Sequence, residues 1–230
     1  MLQAIFFDFN GVIVDDEPIH FKAFQRVLQE EGISLNREEY DHVYIGMDDK
    51  GTFKHVLERY MKPADPKSIQ KFIQKKAILY NDMMSKEIRF FPGVKPFIEK
   101  VAAKQDLAIV SGALRKEIDT ILLAGKLKHS FKVIIAAEDV QDGKPSPEGY
   151  RLALTRLNER LSIEGKKTLS PEDCLVIEDT LAGIEAGTRA GIKCLALAHS
   201  LKKEKLYEMA DFIAGSFQDI NMKEIEETYW

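Results

Sequence analysis

An apolar run that stops at an acid constrains this chain more than any other stretch. Ala4-Ile5-Phe6-Phe7 contains no polar residue, Asp8 follows it directly, and Asn10 and Gly11 come close behind. A continuous apolar run of this kind reads as a strand buried on both faces, as in a parallel sheet. Gly11 lets the backbone turn sharply just beyond it. In an open α/β sheet, ligands bind in the crevice outside the carboxyl ends of the strands. Asp8 would stand there as a metal ligand, a nucleophile, or both.

From Pro92-Gly93 onward, strand-like and helix-like segments alternate. Strands are expected over 106–110, 132–136, 175–178, 193–197 and 211–213, and helices over 115–123, 147–161 and 181–190. Such alternation predicts an α/β fold with a doubly wound, mostly parallel sheet and helices on both faces. The texture between the first strand and this alternation is different. The acidic turn Asp15-Asp16-Glu17-Pro18 is suited to cap a helix over 19–31, whose Phe21, Phe24, Val27 and Leu28 recur at helical spacing and which Gly32 ends. Further helices are expected over 37–43, 52–61 and 66–84, with a polar, glycine-flanked turn over 45–51. The expected organisation is therefore an α/β core of residues 1–14 and 90–230, interrupted by an all-helical insert of residues 15–89. An insert far beyond ordinary loop length, leaving the sheet beside Asp8, is placed to act as a lid. Linkers are expected over 14–17 and 85–92, and the charged tail from Lys202 is expected as surface helix.

Composition removes several function classes. The formal net charge is −4, which gives no electrostatic grip on nucleic acid or an anionic membrane. No window approaches the roughly 20 apolar residues of a membrane span. Met1-Leu2-Gln3 runs straight into the first strand, so no signal peptide is expected. The two cysteines, Cys174 and Cys194, sit in apolar strand-like runs, so reduced buried thiols in a cytoplasmic protein are expected. Nothing in the chain demands more than a monomer.

Four short polar stretches stand at or soon after strand ends. They are Asp8-Phe9-Asn10-Gly11, Ser111-Gly112, Gly143-Lys144-Pro145 and Glu178-Asp179-Thr180. If the strands are parallel, all four converge on one crevice. Carboxylates hold Mg²⁺, lysine and hydroxyl neutralise phosphoryl oxygens, and one carboxylate can attack phosphorus. Each stretch also has a plain structural reading. Asp179-Thr180 can cap a helix, Ser111 can do the same, and Lys144 can be a solvated turn residue.

Taken in order, with a helical insert in the first gap, these stretches resemble the haloacid dehalogenase superfamily, in its capped, β-phosphoglucomutase-like branch. The resemblance covers essentially the whole chain. It implies that Asp8 is nucleophile and Mg²⁺ ligand and that Asn10 gives its backbone carbonyl to the metal. Ser111 and the Gly112 amide would bind phosphoryl oxygens, and Lys144 would balance the charge of phosphate and Asp8. Asp179 would ligate Mg²⁺, with Glu178 helping directly or through water. The family's substrate loop maps onto residues 46–50, with Lys50 as a candidate contact and Lys76 as a second one.

Asn10 departs from the family pattern, which has an aspartate there as general acid and base. An amide donates a hydrogen bond but does not exchange a proton near neutral pH. That help is typically worth 10²–10⁴-fold. Alkoxide leaving groups need it most, and aryl or acyl phosphates least. Asp15, Glu17 and His20 lie just downstream as possible substitutes. The leading expectation is a Mg²⁺-dependent phosphatase of a small phosphorylated metabolite. A sugar-phosphate mutase, a phosphonatase-like enzyme using Lys50 as an imine, and a slow phosphate-binding regulator stand beside it as alternatives.

Overall fold

The computed structural model describes residues 1–44, 47, 49–84, 86–199, 206 and 208–230. Ile45, Gly46 and Asp48 of the expected turn, Ser85 of the second linker and Lys202 of the charged tail lie outside the described residues.

The chain begins with β1 (Ala4–Phe7) and then enters α1 (Glu17–Gln29), the single-turn α2 (Arg37–Glu39), a π-helical turn Tyr40–Tyr44, α3 (Asp49–Arg59) and α4 (Pro66–Met84). It continues through α5 (Val94–Ala102), β2 (Asp106–Val110), α6 (Arg115–Gly125), β3 (Phe131–Ile135) and α7 (Glu148–Ile163). It ends with β4 (Cys174–Glu178), α8 (Leu181–Arg189), β5 (Lys193–Leu197), β6 (Phe212–Ala214) and α9 (Met222–Tyr229).

The strands form one six-stranded sheet in the order β3-β2-β1-β4-β5-β6, and every pair is parallel. β1 and β4 lie in its middle and are buried at every residue, as their unbroken apolar sequences require. Phe6, Val176 and Cys194 share a core with Tyr150, Ala153 and Leu157 of α7 and Ile184 of α8. On Phe7 the rings of Phe97 (α5) and Phe131 (β3) pack edge-on, with centroids 6.2 and 5.9 Å away. Both cysteines are buried free thiols, and burial pushes each up to about 12. Among the described residues no helix is long and apolar enough to cross a membrane.

Two compact units divide the chain, Met1–Asp15 with Phe90–Trp230 and Asp16–Arg89. The second has its own core, in which Phe24, Val27 and Leu28 of α1 meet Phe53, Val56 and Leu57 of α3 and Ile69 and Phe72 of α4.

Three local expectations need correction. Asp49, Lys50 and Gly51 are not a turn but the first turn of α3, where an acidic Asp49 favours a helix N-terminus. The helix expected over 37–43 gives way after one turn to the π-helical turn, which buries Tyr40 and Tyr44. Asp16 occupies the N-cap position of α1 without capping it, because its carboxylate bonds to His20 and Tyr80 instead. The sequence reading also omitted α5, although Val94, Phe97, Ile98 and Val101 carry helical spacing and are all buried.

Candidate active site

The parallel register assembles the site. Phe7 pairs with Ile177, and one residue further on Asp8 donates its amide to the Ile177 carbonyl at 2.9 Å. Asp8 and Glu178 therefore leave the sheet side by side at the ends of β1 and β4. Oxygens of Asp8, Glu178 and Asp179, all three buried, lie within 4.8 Å of one another.

Two glycines make room for this crowding. A Cβ on Gly11, whose φ is +78°, would stand 2.1 Å from Asp179 Oδ2. A Cβ on Gly183 would stand 1.8 Å from Glu178 Oε1.

Lys144 closes the cluster. Its Nζ donates to Asp8 Oδ1, to Glu178 Oε1 at 2.5 Å and to the Val110 carbonyl at 2.9 Å. These three bonds use all three ammonium protons. The Lys144–Pro145 peptide bond is cis. The loop carrying it is clamped by Glu148, whose carboxylate accepts from the amides of Gln141 at 2.9 Å and Asp142 at 3.0 Å.

Glu178 is more heavily engaged still. Oε1 accepts from Lys144 and from Tyr150 Oη at 3.1 Å. Oε2 accepts from the amides of Asp179 and Thr180 at 3.0 and 3.2 Å and from Thr180 Oγ1 at 3.1 Å. Five donors saturate a carboxylate that has about four lone-pair sites.

The electrostatics follow from charge crowded into a buried place. Three carboxylates and one ammonium leave a formal charge of −2, that is −3 plus 1, in a buried cluster. Burial pushes the Asp8 carboxyl up to about 7, the Glu178 charge adds to the shift, and Lys144 opposes it. On Lys144 burial pulls the other way, but the charges of Asp8 and Glu178 outweigh it and hold the ammonium above its usual range. A hard divalent cation balances this donor set, since it is all oxygen and two negative charges in excess. The chemistry of this donor set fits an ion such as Mg²⁺, which Asp8, Glu178 and Asp179 could hold.

Ser111 and Gly112 follow β2. The Ser111 amide donates to the Ile135 carbonyl at 3.0 Å, and its Oγ accepts from the Ala113 amide at 3.0 Å, which folds the turn rather than capping α6. Gly112 is exposed with nothing near the position a Cβ would take. Ser111, Gly112, Lys144, Ser146 and Tyr150 line one cavity of about 420 Å³. Of the helix-cap readings, the one at Asp179-Thr180 falls to Thr180, whose Oγ1 accepts from the Gly183 amide at 3.1 Å.

His20 and Lys76 belong to a second polar cluster, inside the helical insert. Lys76 Nζ donates to His20 Nδ1 at 2.6 Å and to Asp49 Oδ1 at 2.7 Å. It also sits over the rings of Phe24 and Tyr80, at 4.7 and 5.2 Å from their centroids. Because Nδ1 accepts, the His20 proton is on Nε2, which donates to Asp16 Oδ2 at 3.0 Å. Tyr80 Oη donates to the same oxygen at 2.5 Å. Lys76 is only 3 % exposed as a side chain, whereas Lys50, on the first turn of α3, is exposed.

Sequence reasoning did not single out Tyr150, Glu148 or His199. Tyr150 and Glu148 follow Lys144 in the same motif, at six and four residues, so the signal was there. His199 carried none. Its Nδ1 bonds to the Gly11 carbonyl at 2.9 Å and its ring stacks on Phe91, contacts that exist only in the folded chain. Burial pulls its imidazole below the usual range, against the pull of the Gly11 bond and the Asp15 charge.

Known proteins share this architecture. The family model for haloacid dehalogenase-like hydrolases matches residues 5–197. The chain is 27 % identical over 216 residues to a phosphorylated carbohydrates phosphatase of Thermotoga maritima, covering 93 % of each. It is 25 % identical over 193 residues to the fructose-1-phosphate phosphatase YqaB of Escherichia coli, covering 82 % of this chain and 93 % of that protein. The crystal structure of CbbY from Rhodobacter sphaeroides in complex with phosphate superposes with a TM-score of 0.74 at 27 % identity, covering 94 % of this chain and 95 % of the other.

Proposed function

The chain belongs to the haloacid dehalogenase-like hydrolases, and from that premise we propose that it is a Mg²⁺-dependent phosphatase of a sugar monophosphate or similar small phosphorylated metabolite, working through a phosphorylated Asp8. One observation carries the reading: an oxygen of Asp8 lies within 4.8 Å of oxygens of Glu178 and Asp179, and Lys144 donates to Asp8 Oδ1.

In this reading Asp8 attacks phosphorus, an Asp8 O–P bond forms, and the bond from phosphorus to the substrate's ester oxygen breaks. Water then attacks phosphorus as the Asp8 O–P bond breaks, freeing Asp8 and inorganic phosphate. One proton of that water stays on the phosphate and the other passes to solvent, which supplies the proton the departing ester oxygen takes up. Lys144 balances charge on Asp8 and on the phosphoryl group. Ser111 Oγ and the Gly112 amide bind phosphoryl oxygens in the cavity they line. Asp8, Asp179 and the Asn10 carbonyl would hold Mg²⁺, which would supply charge neutralisation for the phosphoryl group. Glu178, engaged by its five donors, orients Lys144 and the Asp179 amide and would help hold the cation directly or through water.

The names of the Thermotoga and Escherichia relatives support a phosphorylated carbohydrate as substrate. Two features favour hydrolysis over a mutase. Asn10 cannot shuttle protons at sugar hydroxyls. Lys76, the candidate for a second phosphate, is already bonded to Asp49 and His20 inside the insert.

Beryllium fluoride with Mg²⁺ mimics a phosphorylated carboxylate and tests the proposal directly. Wild type should bind it and lose phosphatase activity, and Asp8→Ala should not bind it. Equal binding by Asp8→Ala would remove Asp8 as the nucleophile.

A further inference from the structure

His199 lies outside every motif, yet it grips the turn on which the cation site depends. Its Nδ1 is 2.9 Å from the Gly11 carbonyl oxygen. A carbonyl only accepts, so Nδ1 carries the proton and donates. The ring is fixed as well as bonded. It stacks on Phe91 with centroids 3.9 Å apart and planes 13° from parallel, and Phe217 lies 6.2 Å away. Phe91 in turn donates its amide to the Ile13 carbonyl at 3.2 Å, so the stacking partner is tied to the same turn.

Gly11 is held in that turn from both of its polar groups. Its amide donates to the Val14 carbonyl at 2.9 Å. The peptide unit is planar and trans, so this bond points the Asn10 carbonyl to the opposite side. The Gly11 carbonyl is held by His199, so both polar groups of the residue are fixed from different directions. Asp179 Oδ2 occupies the space where a Cβ would stand, 2.1 Å from that position, which leaves no clearance for Gly11 to shift without moving Asp179.

We infer that His199 is a positioning residue of the cation site, holding Gly11 so that the Asn10 carbonyl and Asp179 keep their places around the ion. The inference rests on the reading that Asp8, the Asn10 carbonyl and Asp179 hold Mg²⁺. It concerns a residue that touches neither the ion nor the substrate and acts through one hydrogen bond. Groups of this kind, one step behind the ligands, typically change metal affinity 10–100-fold when removed.

Two variants separate the hydrogen bond from the stacking. His199→Phe keeps a ring over Phe91 and loses the donor. His199→Asn keeps an amide N–H near the Nδ1 position and loses most of the ring. Mg²⁺ affinity is measured by isothermal titration calorimetry on the full chain. Hydrogen exchange of the Gly11, Ile13 and Val14 amides is followed without metal. His199→Phe should weaken Mg²⁺ binding about tenfold or more and speed exchange at these three amides. His199→Asn should stay within about threefold of wild type and protect them. If His199→Phe binds Mg²⁺ like wild type, or if His199→Asn is as impaired as His199→Phe, the inference is overturned. Should His199→Phe not fold, His199→Asn alone decides, because unprotected Gly11, Ile13 and Val14 amides in that variant contradict the role. Failure of wild type to bind Mg²⁺ would instead bring down the metal reading itself.

Discussion

At position 10 this chain carries an amide, Asn10, where the phosphoryl-transfer reading proposed above calls for a group that exchanges a proton. The consequence can be separated by leaving group. Asn10→Asp restores a proton donor and should raise turnover of an alkyl phosphate, such as a sugar monophosphate, by roughly 10²–10⁴-fold. An aryl phosphate, whose leaving group needs no proton, should gain far less in the first step. Steady-state rates of both variants on both substrates test this, and equal rates on the sugar phosphate would mean that another residue already moves the proton. Gly11 gives a second prediction at this scale. A side chain there meets a positive φ of +78° and Asp179 Oδ2 at 2.1 Å, while the space beside Gly112 is open. Gly11→Ala should lose about 2 kcal/mol or more and bind Mg²⁺ poorly. Gly112→Ala should change stability by less than about 0.5 kcal/mol. Urea unfolding and Mg²⁺ titration of the two proteins supply the comparison, and a stable, metal-competent Gly11→Ala would contradict the close approach to Asp179.

Three helices of the insert are tied together by one buried ammonium. Lys76 on α4 bonds to His20 on α1 and to Asp49 at the start of α3, with aromatic faces around it. Lys76→Ala leaves Asp49 and His20 without their donor and opens a hole beside Phe24. Breaking a buried pair on one side costs about 3–5 kcal/mol. Asp49 is 29 % exposed and can be partly rescued by water, so about 2 kcal/mol is the expected loss here. Lys76→Met keeps the stem and should lose less, and urea midpoints in which Met is worse than Ala would show that charge, not packing, dominates. Elements of this type differ in how readable they were. α4 runs over residues 66–84, as its long helical period indicated, and β2 and β5 match their apolar runs residue for residue. Asp49–Gly51 misled because charged and glycine residues were read as a turn, when Asp49 was a favourable first-turn acid. α5 went unassigned because Pro92-Gly93 marks the boundary where the texture changes; Pro96 falls in its first turn, where proline is tolerated. The polar tips of β1, β2 and β4 were legible because an acid or a hydroxyl ending an apolar run is a local signal. The bonds of Lys144 to the Val110 carbonyl and of His199 to the Gly11 carbonyl were not, because each joins backbone to a side chain distant in sequence and depends on how neighbouring strands end.

Over the whole molecule, a sheet whose strands all run the same way delivers three carboxylates to one buried edge, and folding must bear that repulsion whenever no cation is bound. The sign can be worked out from Asp8. Its carboxyl titrates near about 4 in an unfolded chain and is pushed by burial to about 7 in the folded one. Below about pH 4 both states hold the proton. Between about 4 and about 7 the unfolded chain has lost it while the folded protein retains it, so stability falls as pH rises through this window. Asp173 acts in the opposite direction. Its carboxyl is held below the usual range first by the Ser170 amide and also by the Ser170 hydroxyl, so its contribution is lost as pH falls below the ordinary aspartate range. The metal-free protein should therefore be most stable near about pH 4 to 5 and weaken up to about pH 7, above which the Asp8 contribution is fully lost. On the proposed reading Mg²⁺ would take the place of the proton on Asp8, and a ligand that binds only the folded state stabilises it by mass action. Added Mg²⁺ should consequently raise the melting temperature more at pH 8 than at pH 5, and Asp8→Asn should flatten the metal-free decline while losing most of the response to Mg²⁺. Thermal melts in EDTA and in Mg²⁺ across that range make the measurement. A Mg²⁺ shift of the same size at both pH values, or one that survives in Asp8→Asn, would place the ion somewhere other than the edge where β1 and β4 end.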